Sequence, residues 1–252
     1  MSGIELYQFQ GSHYNEKVRW ALDLKRVPHE RHSLLPGPHM PTMKRLTGRT
    51  TTPALVDGET VVSGSTAILE HLERRFPEPR LFPEDPVERE QALAIVHHWD
   101  AEVGVAVRLL KFHEVLEADY VLGTFARDST ALTRATYRLA FPVIQRVMIR
   151  RMDIDAANAA KARDVAREAF DFVAKAPSEA GYLVGDRFGV ADLTCAALLM
   201  PYVDVSAWGG PRDAGTERNR AFLDEWRDHP GSEWVRTMYR RHRRPADAAA
   251  AA

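Results

Sequence analysis

Two serines in the first third of the chain stand where a hydroxyl can do chemistry. Ser12 follows an alternating run, "IELYQF" at 4–9, and precedes the helix-like stretch "NEKVRWALDLKRV". A hydroxyl at such a turn either caps the helix or stays free to donate to a ligand. Ser65 opens a second helix-like run, "STAILEHLERRF". There the hydroxyl and the unpaired N–H groups of the first turn make a carboxylate site, or again a plain cap. The other reactive residue types offer less. His97 and His98, with Asp100 and Glu102, carry metal-ligating atoms. Adjacent residues on a helix point about 100° apart and chelate poorly, so no metal is expected. Cys195, the one cysteine, sits in "LTCAALLM" and reads as an inert core thiol.

The bulk composition narrows the setting. A formal charge of −1 and a pI near 6.8 give no electrostatic reason to bind nucleic acid or an anionic membrane. The arginine-rich end, "RTMYRRHRRP" from Arg236, reads as a solvated helix terminus rather than a phosphate patch. A single cysteine rules out a disulfide framework and points to a reducing compartment. The chain starts without a basic segment followed by an apolar one, and no apolar run approaches the roughly 20 residues that span a bilayer. The expected location is the cytoplasm.

The elements that position these residues fall into two groups. Strand-like runs at 4–9 and 29–35 flank the first helix, and a Pro/Gly-rich turn follows at 36–41. "TTPALVDGETVVSG" predicts a hairpin about Asp57-Gly58, and the Ser65 run predicts a helix ending before Pro77. The order is βαβ, then ββα. Prolines crowd 77–86, and beyond them the strand signals stop. Helices are predicted over 87–118, 130–152 (kinked or broken at Pro142), 155–176, 189–203 and 216–242. This switch in period predicts an α/β domain over 1–80, a linker over 81–88, an all-α domain over 89–245 and a disordered tail over 246–252.

The order and its motifs resemble the cytosolic glutathione transferases, with their thioredoxin-like N-terminal domain. "SHYNEKVRWALDLKRVPHE" is similar to the family's first turn and helix, and "TTPAL" to its cis-proline segment. "GSTAILEHLE" and "YLVGDRFGVADLTCAALL" are similar to its carboxylate-binding helix and its C-terminal signature. The resemblance implies an enzyme that conjugates the thiol of glutathione to a small electrophile, with glutathione as co-substrate, no metal, and a homodimer. It places catalysis on Ser12, which would hold the thiolate, with Tyr14 and Asn15 as alternative donors. It makes Pro53 the cis-proline, a trans proline at a strand start being the alternative, and has the Thr52 main chain pair with the cysteinyl part of the ligand.

Ser65 would hold the γ-glutamyl carboxylate. Gly64 stands where the family has an acid that contacts the ligand's amino group. Arg49 and Lys44 are candidates for the glycine carboxylate. His13, Tyr14, Trp99, Arg108 and Phe112 are candidates for the second-substrate pocket. Asp192, three residues after Gly189, is expected to serve the fold as the acidic half of a capping box. "SHYN" also lines up with the CxxC of glutaredoxins, and serine in the first position leaves thiol–disulfide exchange without its cysteine. Two other readings stay open: a binding or interaction protein that has lost the chemistry, and a transferase that uses another low-molecular-weight thiol.

Overall fold

The computed structural model describes residues 3–176, 178, 180–210 and 214–243, so the expected tail at 246–252 lies outside the described residues. Strand β1 (Ile4–Gln8) alternates buried and half-buried positions, as its sequence pattern requires. Helix α1 (His13–Leu24) carries the chain to β2 (His29–Ser33), which pairs parallel with β1 from Ile4↔His29 to Gln8↔Ser33. After α2 (His39–Thr47), β3 (Ala54–Asp57) pairs antiparallel with β1, and β4 (Thr60–Ser63) with β3. Gly58, at φ 62°, makes the tight turn between them in the left-handed conformation that glycine enters without strain. The sheet order is β2-β1-β3-β4, so the polar strand "HERHS" falls on an edge and the apolar β1 and β3 lie inside. Helix α3 (Ser65–Arg75) closes this half.

The second half is helical: α4 (Pro86–His98), α5 (Gly104–Val115), α6 (Ala118–Phe125), α7 (Ala131–Arg151), α8 (Ala156–Ala174), α9 (Val190–Leu199), α10 (Glu217–Trp226) and α11 (Pro230–His242). Helix α1 packs between α3 and α9, and one apolar cluster runs through both halves, from Leu6 and Leu55 to Leu193 and Leu198. No described helix is long and apolar enough to cross a membrane.

Four elements differ from the sequence expectation. The 36–41 turn leads into α2, whose Pro41 lies in the first turn, where a missing amide donor goes unused. Gly48 ends α2 at φ 72°, its N–H bonded to Lys44 O at 2.9 Å. The long run from 87 is interrupted by a π-helical turn, Trp99–Val103, and its last residue, Ala118, opens the separate helix α6. Helix α7 passes unbroken through Pro142, which lies on the exposed face where a carbonyl left without its amide partner can bind water. The run 216–242 is two helices. His229 caps the second by accepting from Gly231 N at 3.1 Å, and Pro230 occupies its first position.

Asp192 does what its spacing predicts. One carboxylate oxygen accepts from Gly189 N at 2.9 Å and the other from Leu183 N at 2.8 Å. Burial nevertheless pushes its pKa up to about 6, the two backbone bonds offsetting only part of that shift. Cys195 is buried in the same helix, and burial pushes its thiol well above the ordinary range.

Candidate active site

The turn from β1 into α1 sets the position of Ser12. Its backbone is extended (φ −81°, ψ 130°), its carbonyl accepts from Glu16 N at 2.9 Å, and its side chain makes no capping bond. A serine at this position normally spends its oxygen on the second or third helical amide. Here the hydroxyl is left at the positive end of α1, on the wall of a cavity of about 440 Å³.

Buried charge holds that turn in place. Arg19 donates to Gln8 Oε1 at 2.6 Å, to Phe9 O at 3.0 Å and to Ser12 O at 3.3 Å. Its Nε pairs with Glu16 at 2.7 Å, and Glu16 is paired in turn with Arg243 at 2.8 Å. The two arginines pull the Glu16 carboxyl below its ordinary range although burial alone would raise it.

Asn15 ties the turn to the next loop. Its side-chain oxygen accepts from Phe9 N and its nitrogen donates to Thr52 Oγ1, both at 3.2 Å. The Thr52–Pro53 peptide bond is cis, and Thr52 lines the cavity beside Ser12. Pro53 O accepts from Gly64 N at 3.1 Å, which brings the start of α3 up to the same loop. Gly64 adopts φ 98°, a conformation a side-chain-bearing residue enters only with strain. Ser65, buried behind it, has a hydroxyl with no hydrogen bond among the described residues.

Tyr14 and Asn15 have their polar atoms engaged inside the fold. Tyr14 Oη donates to Asp100 O at 2.7 Å, a carbonyl of the π-helical turn, and burial raises its pKa to about 12. Gly104 begins α5 against this ring, and a Cβ there would stand 2.5 Å from Tyr14 Oη. Lys44 and Arg49 are exposed and lie off the cavity wall, the Arg49 amide donating to Thr47 Oγ1 at 3.1 Å. Trp99 packs against Phe172, ring centres 5.9 Å apart, and also lies off that wall.

The cavity's far side is helical. His39 and Met40 come from α2, Lys111 and Phe112 from α5, and Tyr120 and Phe125 from α6. Ile144, Val147 and Met148 of α7 complete it. The α2, α6 and α7 residues were not legible as pocket residues: the start of α2 reads as a turn, and no motif in the α6 and α7 segments marks a pocket.

His13 and Arg108 both line this wall. His13 is buried, its Nε2–H donating to Gly104 O at 2.9 Å. Burial, reinforced by the Arg108 charge, lowers its pKa to about 3, so the ring is neutral at physiological pH. Lys111 donates to Asn219 Oδ1 at 2.5 Å and lies over the Phe222 ring at 4.5 Å. No group of three potential metal ligands occurs among the described residues; His98 instead lies 3.6 Å from Glu102.

Residues 6–80 match the family model for the glutathione S-transferase N-terminal domain, and residues 136–207 the model for its C-terminal domain. A maleylpyruvate isomerase of a Ralstonia species is 33% identical over 132 residues, 51% of this chain and 59% of that protein. Glutathione S-transferase Z1 of Arabidopsis thaliana is 37% identical over 99 residues, 37% of this chain and 45% of that one. The chain thus spans about half the length of the curated relatives it matches. A glutathione S-transferase of Methylobacterium radiotolerans, solved with glutathione sulfonate, superposes with a TM-score of 0.63 at 22% identity. That alignment covers 98% of this chain and 94% of the other.

Proposed function

The chain belongs to the glutathione S-transferase family, and from that premise we propose that it is a glutathione-dependent enzyme joining the thiol of glutathione to a small electrophile. The observation that carries this reading is the Ser12 hydroxyl, which spends nothing on capping and lies on the cavity wall at the positive end of α1. A thiol with a cysteine-like pKa of about 8.5 is mostly protonated at neutral pH. A hydroxyl donating to the sulfur, together with the α1 dipole, favours the thiolate and lowers that pKa.

The rest of the ligand follows the groups around Ser12. The Thr52 main chain, which makes no backbone pair among the described residues, takes the cysteinyl segment as a short strand. The unbonded Ser65 hydroxyl and the first amides of α3 take the γ-glutamyl carboxylate. Gly64 and cis-Pro53 shape the loop between these two contacts. The sulfur then forms the new C–S bond. In a substitution, the leaving group departs with its electron pair. In an addition to an activated alkene, the resulting carbanion takes a proton. A cytoplasmic homodimer is part of this reading.

The relatives named as isomerases favour a second outcome for the same adduct. After addition to a cis-alkene, rotation about the former double bond and expulsion of the thiolate give the trans-alkene and return glutathione unchanged. Both readings begin with a thiolate at Ser12. Calorimetry with glutathione, followed by a chloronitrobenzene assay on wild type and Ser12→Ala, tests that step. The expected result is millimolar or tighter binding by both proteins and a loss of about 100-fold or more in turnover for the variant. No binding by the wild type removes the family's chemistry from this chain. Binding without turnover of any electrophile favours an interaction protein. Turnover that survives Ser12→Ala removes the serine from the mechanism.

A further inference from the structure

Arg108 has no counterion among the described residues. Its side chain comes from α5 into the cavity, and its Nε is closed off from solvent with no hydrogen-bond partner. No ion pair or hydrogen bond of its guanidinium occurs among the described residues. The described cavity lining includes no aspartate or glutamate at all, whereas it includes a second arginine, Arg151, near the exposed end of α7. The neighbours of Arg108 do not compensate it: His13 is neutral, and Tyr14 Oη donates elsewhere. Burial without a partner even lowers the affinity of the guanidinium for its own proton, the nearby tyrosine offsetting only part of this.

Arg108 is half-buried, and the two arginines that are fully buried among the described residues are both paired. Arg19 meets Glu16, and Arg243 meets Glu16 and Asp23. Removing a cation from water without a partner is costly, and proteins accept it where a ligand supplies the missing charge. A guanidinium suits a planar, bidentate oxyanion, above all a carboxylate.

We propose that Arg108 is a specificity-determining residue that receives a carboxylate of the second substrate, so that the electrophile is a small organic acid. This rests on the glutathione-dependent reading for the reaction, but not for the binding. The acid docks with its carboxylate on Arg108 and its electrophilic carbon toward Ser12, with Phe112 and Ile144 against its apolar part. Arg151 at the mouth adds long-range attraction for an anion.

The test uses 4-chloro-3-nitrobenzoate and its neutral amide, 4-chloro-3-nitrobenzamide, as paired electrophiles, and the unreactive 4-methyl-3-nitrobenzoate as a binding probe. With glutathione present, the wild type is expected to prefer the acid to the amide in kcat/KM. Arg108→Met is expected to reduce that preference roughly 10- to 100-fold, the worth of a charge-assisted hydrogen bond, and Arg108→Lys to reduce it less. Calorimetry with 4-methyl-3-nitrobenzoate is expected to show the same loss for Arg108→Met. An unchanged preference, or equal binding by wild type and variant, overturns the proposal. If neither electrophile turns over, the transferase reading falls while the calorimetry still decides whether Arg108 holds a carboxylate. Urea unfolding of each variant separates a lost site from a lost fold.

Discussion

Arg243 and Arg108 show two opposite uses of a cation inside one protein. Arg243, the last described residue, reaches back into the first half of the fold. It is 5% exposed and contacts Glu16 and Asp23 at 2.8 Å each. Those two carboxylates also pair with Arg19 and Arg31, so the charges around α1 form a closed network. Arg108 enters the cavity and meets no acid among the described residues. A satisfied buried charge holds elements in register, and an unsatisfied one on a cavity wall is an invitation to a ligand of opposite charge.

Truncating the two arginines should separate these roles most strongly. Arg243→Met leaves Glu16 and Asp23 buried with fewer partners, and a loss of about 3–5 kcal/mol is expected in urea unfolding. Arg108→Met removes an uncompensated charge and should leave stability within about 1 kcal/mol of wild type, or raise it. Equal losses would end the distinction.

A smaller effect is read from pH. His13 beside Arg108 takes up a proton in the native state only near pH 3, against 6.5 for an unperturbed imidazole. Between those values the unfolded chain binds the extra proton, so this residue contributes stability above pH 6.5 that is lost as the pH falls toward 3. His13→Gln should flatten the acid limb of a stability profile by up to about 1.4 kcal/mol per pH unit. An unaltered slope would mean that the ring reaches solvent.

The smallest effect compares two helix starts. Thr130 caps α7 through a bond from Thr133 N at 3.2 Å, and Thr130→Ala should cost about 1 kcal/mol. Ser12 makes no such bond, so Ser12→Ala should shift the unfolding midpoint hardly at all.

The first half of the fold was far more legible than the cavity it lines. Alternation marked β1, Asp57-Gly58 marked the hairpin, and the proline before Ala54 marked the loop beside Ser12. Each of these is a signal within one short segment. The cavity is assembled from α2, α5, α6 and α7, and no single segment carries its pattern. Helix α2 read as a turn because Pro36, Gly37, Pro38 and Pro41 dominate its start. Met148 and Ile144 lie in a helical run that carries no motif, and only the placement of α7 opposite Thr52 and Ser12 makes them a wall. Arg108 was legible as a pocket candidate, but its missing counterion emerges only once every neighbouring acid has been located.

The protonation of bound glutathione tests the central claim most directly. Thiolate absorbance of the protein–glutathione complex, titrated against pH, reports the pKa of the bound sulfur. Wild type is expected to give a value below the cysteine-like 8.5 or so, and Ser12→Ala a return toward it. The same titration curve for both proteins would contradict it.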